Sequence, residues 1–121
     1  MSAPTWIAVA ALGSVGSIAR FLLDSAVSSR SSGSFPLGTL AVNASGALVL
    51  GVLTGLALSG DALTLAGSAT IGSYTTFSTW MLETHRLGED GRLLPGALNV
   101  FASIAVGIGA ALLGRTIGGA F

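Results

Sequence analysis

GSYTTFSTW, Gly72 to Trp80, sets six polar side chains (Ser73, Tyr74, Thr75, Thr76, Ser78 and Thr79) into nine positions, in the middle of an otherwise apolar run. Whether that density is ordinary depends on the solvent around it. Of the 121 residues 51% are hydrophobic and only 8% charged, five basic against five acidic, and the mean hydropathy is +0.83. A soluble domain carries roughly a quarter charged residues to cover its surface. Ten charges cannot coat a water-facing domain of this length, so the chain reads as integral membrane, and hydroxyls at its centre need an explanation.

Working outward from that stretch, a helix rising about 1.5 Å per residue crosses a hydrocarbon core of about 30 Å in some 20 residues. Four runs of that length are expected, at about 6–27, 36–59, 62–83 and 94–117, forming one four-helix membrane domain over 1–121. Pro36 suits a first helical turn. Ser59-Gly60-Asp61 reads as a tight turn with Asp61 capping the third helix, and THRLGEDGRL (84–93) as a water-exposed loop. The first run lacks a basic start and a cleavage pattern, so it is expected to be a retained span. Arg30, Arg86 and Arg92 flank one side and Arg115 the other, a bias too small to fix orientation. Gly46, Gly51 and Gly55 in the second span, with Gly107, Gly109 and Gly114 in the fourth, permit close backbone approach. Such short helices are expected to work as an oligomer, most simply a dimer.

Neutral formal charge gives no nucleic-acid footprint, and the absence of cysteine leaves no disulfide or thiolate site. No carboxylate lies near the middle of a span: Asp24, Asp61 and Glu83 sit towards ends. A proton-coupled antiporter needs such an acid, and no nucleophile–base pair is present, so catalysis and proton exchange are both disfavoured. What remains is a set of neutral donors. Thr39, Asn43 and Gly46 share a face of the second helix. Asn99, Ser103 and Gly107 make a polar stripe on the fourth. Asn43 reads either as interhelical glue or as an N–H donor on a water-filled path. Arg20 reads either as snorkelling to headgroups or as a cation at a vestibule, with Asp24 placed to pair with it at i,i+4. Hydroxyls in membrane helices often bond back to the preceding turn, but six in nine residues behind Gly72 exceed that habit. A helix break is expected here, tolerated where it is buried or lines a cavity. Phe77 and Trp80 share a face, a spacing used most often for core packing. Together these residues suit a passive path for a small anion; a non-transporting subunit glued by its polar residues is the bland rival.

At these residues the sequence resembles the small bacterial fluoride channels (Fluc, or CrcB-type, proteins). GSVGSIARF (13–21) is similar to the first-helix signature, PLGTLAVNASG (36–46) to the second-helix motif, and GSYTTFSTW to the third-helix break with its phenylalanine box. The resemblance covers nearly the whole chain. It implies an all-α membrane fold with a broken third helix, an antiparallel (dual-topology) dimer in the bacterial cytoplasmic membrane, and two pores exporting fluoride. By position, Asn43, Phe77, Trp80, Ser78, Thr79, Ser103, Thr39 and Arg20 would border the fluoride path, and the Gly72 and Thr75 carbonyls would hold a structural sodium ion (Na+) at the dimer centre. Trp80 stands where phenylalanine is usual and Asn99 where tyrosine often stands. The partner implied is a second copy, or a paralogous subunit in a heterodimer.

Overall fold

The computed structural model describes residues Met1–Phe121, and every element is helical. Helix α1 (Ala3–Ser29) starts at Ser2, whose hydroxyl accepts the Thr5 N–H at 3.3 Å, with Pro4 in the first turn. Helix α2 (Leu37–Gly55) follows Pro36. The third segment is in pieces: α3 (Gly60–Leu63), a π-helical stretch (Thr64–Ile71), α4 (Gly72–Tyr74), then α5 (Ser78–Glu89) after a gap at Thr75–Phe77. Helix α6 (Leu93–Gly119) closes the chain. At 27, 19 and 27 residues, α1, α2 and α6 are long and apolar enough to cross a membrane. The third segment contains no single helix of that length.

Two local expectations are corrected. Asp61 does not cap the third segment: Ser59 is the N-cap residue, and Asp61 Oδ2 instead accepts from Thr5 Oγ1 at 3.4 Å. The turn before it takes two left-handed residues, Ala57 (φ 59°) and Gly60 (φ 60°). The stretch 84–93 is mostly helix, because α5 continues to Glu89 and the reversal is confined to Asp90–Arg92 around Gly91. Within 72–80 the interruption falls at Thr75–Phe77, and Gly72 remains helical. Ahead of it Gly72 N–H reaches back five residues to the Gly67 carbonyl, as does Thr70 Oγ1 to Leu65 at 2.7 Å. Such i→i−5 stretches often mark functional sites.

Glycine sets the packing. A Cβ on Gly51 would overlap the Ala111 carbonyl, and one on Gly114 would overlap the Leu48 carbonyl, so α2 and α6 touch backbone to backbone. Residues 48 to 55 meet 111 to 119 in increasing order, so these helices run the same way. Gly13 and Gly16 of α1 likewise meet Ala69 and then Thr70 and Ser73. Gly55 also sits on the Arg115 carbonyl and Gly46 on Thr75, whereas Gly107 and Gly109 meet nothing within the protomer. Only 14 of 121 residues are buried, and large side chains such as Ile7, Phe21, Leu94 and Phe101 lie exposed on α1 and α6. In water so much exposed apolar surface would drive association; lipid or a second protein surface covers it here.

Candidate functional site

The gap at Thr75–Phe77 is held open by a side chain from another helix. Asn43 on α2 donates Nδ2–H to the Thr76 carbonyl at 2.8 Å and accepts the Thr76 N–H on Oδ1 at 2.8 Å. The amide thus replaces a peptide unit as the partner of a main chain that has left the helix, at a residue only 8% exposed. In a continuous helix the Thr76 and Thr79 N–H groups would satisfy the carbonyls of Gly72 and Thr75. Here Thr76 N–H goes to Asn43, and Thr79 N–H goes to Thr76 Oγ1 at 3.1 Å. Both carbonyls therefore lose their usual donors. Tyr74 is anchored beside them, its hydroxyl 2.8 Å from Ser45 Oγ.

Thr76 lines two cavities. One, of about 300 Å³, gathers Arg20, Asp24, Thr39, Ser78 and Thr79 around it. Thr76 Oγ1 donates to Thr79 Oγ1 at 3.1 Å, which leaves the Thr79 hydroxyl hydrogen available. Arg20 and Asp24 share this space without forming the expected ion pair. Asp24 Oδ1 accepts instead from Ser28 Oγ at 3.0 Å. Thr39 is buried and donates to Glu83 Oε1, so a carboxylate read as belonging to a span end reaches this group. The other cavity, an open groove of about 630 Å³, runs along α2 and the third segment and takes in Asn43, Gly72, Thr75, Phe77 and Trp80. Seven of the residues picked out by sequence thus divide between two spaces that share Thr76, and the two carbonyl positions fall with the groove.

The aromatics are not a core pair. Phe77 is 69% exposed and stands edge-to-face with Trp80, ring centroids 5.7 Å apart at 85°. The Trp80 indole N–H is already used, donating to the Asn99 carbonyl at 2.9 Å. Ser103 lines neither of these two cavities; its Oγ is buried without a hydrogen-bond partner.

The family model described as CrcB-like protein, Camphor Resistance (CrcB), matches residues 7–115. The chain belongs to the CrcB family. It is 54% identical over 112 residues to a protein of Mycolicibacterium paratuberculosis named Fluoride-specific ion channel FluC 2, covering 93% of this chain and 92% of that one. A protein of the same name in Mycobacterium tuberculosis is 53% identical, covering 93% and 89%. Fluoride-specific ion channel FluC 1 of Symbiobacterium thermophilum is 36% identical over 120 residues, covering 94% and 97%.

CrcB membership, with three membrane-capable helices, makes this a multi-pass membrane protein of a channel family, not an enzyme. Within this CrcB chain, sequence reading missed Thr76 as the hinge of the site and Glu83 as the partner of Thr39. The Asn43–Thr76 contact spans 33 residues and the Thr39–Glu83 contact 44, separations at which no local pattern announces a pair.

Proposed function

We propose that this chain is a subunit of a passive, fluoride-selective channel of the bacterial inner membrane, working as an antiparallel dimer of four-span subunits with two pores. The observation that carries this reading is the junction at Thr76. An uncharged break separates a cavity in which the donors Arg20, Ser78 and Thr79 stand beside the Asp24 carboxylate, which accepts from Ser28, from a groove edged by an exposed ring and lined by no carboxylate. Fluoride is small and strongly hydrated, so it needs dense hydrogen-bond donors in exchange for its water. Arg20, Ser78 and Thr79 supply them on one side. Asn43 retains one Nδ2 hydrogen after serving Thr76, and the edge of Phe77 carries the positive end of its quadrupole. Larger anions, more weakly hydrated, gain less from these groups.

The groove along α2 and the third segment is the surface offered to a second copy, whose own rings and hydroxyls would complete each pore. Gly72 and Thr75 fit a structural sodium ion, because neutral carbonyl oxygens freed of their usual donors suit a hard monovalent cation. When bound, the ion would supply positive charge where two third segments cross. Expression in a fluoride-sensitive bacterium, with intracellular fluoride followed by fluorine NMR, tests the proposal. Lowered internal fluoride is expected, and accumulation equal to that of cells lacking the protein would refute it.

A further inference from the structure

We infer that the Asn99 side chain is a positioning group for Trp80, holding the Trp80 main chain so that the indole, itself bonded to the Asn99 main-chain carbonyl, turns ring carbons rather than its N–H to the groove; this rests on the reading that Phe77 and Trp80 border the fluoride path. The two residues are joined twice. Trp80 Nε1–H donates to the Asn99 carbonyl at 2.9 Å, and Asn99 Nδ2 donates back to the Trp80 carbonyl at 3.3 Å. A second Nδ2 hydrogen goes to Thr84 Oγ1 at 2.8 Å, and Thr84 Oγ1 itself donates to the Trp80 carbonyl at 2.9 Å. This closed set fixes the Asn99 amide: turning it over would aim Oδ1 at the Trp80 carbonyl oxygen.

The arrangement is a poor choice for packing alone. Asn99 is 0% exposed, yet its Oδ1 has no partner. A leucine would fill similar volume without stranding a buried acceptor, which is unfavourable where no water can reach it. What leucine cannot supply is a directional bond to the main chain of Trp80 at the residue that already holds its indole. One bond sets the ring's tilt and the other sets the backbone that carries it. The edge-to-face contact with Phe77 at 5.7 Å depends on that tilt. Asn99 therefore acts on the path through Trp80, without touching the anion.

A double-mutant cycle in liposomes tests this, in a Trp6→Phe background so that Trp80 is the sole tryptophan. Asn99→Leu is expected to slow fluoride efflux about tenfold when Trp80 is present, and by less than about twofold in Trp80→Phe, the non-additivity of residues acting as a unit. Its tryptophan anisotropy should fall as the backbone carrying Trp80 loosens, the indole keeping the main-chain carbonyl of residue 99 as its acceptor. Asn99→Ser, too short to reach the Trp80 carbonyl, should behave alike if Asn99→Leu proves unstable. Equal slowing in both backgrounds, or unaltered anisotropy in a monodisperse variant, would overturn the inference. An unsubstituted protein that passes no fluoride would refute the channel reading, and the anisotropy comparison would still decide the role of Asn99.

Discussion

Replacing Asn43 by leucine removes both bonds that hold Thr76 outside the helix, each 2.8 Å long. Thr76 is nearly buried, so its N–H and carbonyl would be left without partners. At about 1–3 kcal/mol per stranded group the ceiling is about 6 kcal/mol. Membrane hydrogen bonds measured by double-mutant cycles average only about 0.6 kcal/mol, because the unfolded chain in lipid also finds partners. That discount applies weakly here, since the stranded groups belong to a main chain already out of helical geometry. Relaxation can recover part of the loss by returning Thr76 N–H to the Gly72 carbonyl. The expected cost is about 2–4 kcal/mol. Its functional side is larger: a healed helix reoccupies a carbonyl assigned to sodium and closes the junction between cavity and groove. Denaturant unfolding in detergent and fluoride efflux from liposomes should be measured on one preparation. Stability within about 0.5 kcal/mol of the unsubstituted protein together with full efflux would refute the clamp.

The remaining predictions are briefer. Phe77→Ile should abolish fluoride passage while leaving the protomer folded and the protein monodisperse on size exclusion, because an exposed ring contributes little to the protomer's own packing; retained flux would remove the ring from the path. Gly51→Leu should disrupt α2–α6 packing and yield aggregated protein, since its side chain would meet the Ala111 backbone, whereas Gly109→Ala should shift unfolding by less than about 0.5 kcal/mol. Ala57→Gly should stabilise the protein by roughly 0.5–1 kcal/mol by removing a Cβ from a left-handed residue, read as a higher unfolding midpoint. Exchanging sodium on both sides for a large organic cation should halt fluoride efflux if the Gly72 and Thr75 carbonyls hold the ion; unaltered flux after prolonged depletion would count against that site.

How far the sequence could be read varies with the range of the forces involved. Hydropathy is a sum over local residues, so the helical character, the three long apolar helices and the odd chemistry of GSYTTFSTW were all legible. The interruption does fall inside that stretch, but the π-helical residues before it were not readable, since TLAGSATI is apolar and small at any helical period. Asn43 and Asn99 were conspicuous by type, whereas their partners lie 33 and 19 residues away and emerge only from packing. Spacing also misleads when two partners stand at the same separation: Arg20 and Ser28 are each four residues from Asp24, yet Asp24 Oδ1 accepts from Ser28. Gly107 and Gly109 carry the same small-residue signature as Gly114, but only Gly114 meets a neighbouring helix within the protomer.

The measurement that bears most directly on the central claim is efflux from liposomes containing only this purified protein, with fluoride and chloride followed side by side under an imposed potassium diffusion potential. Rapid loss of fluoride that follows the potential and needs no proton gradient, with chloride retained, is the predicted result. Comparable loss of both ions, or fluoride movement that requires a proton gradient, would contradict it.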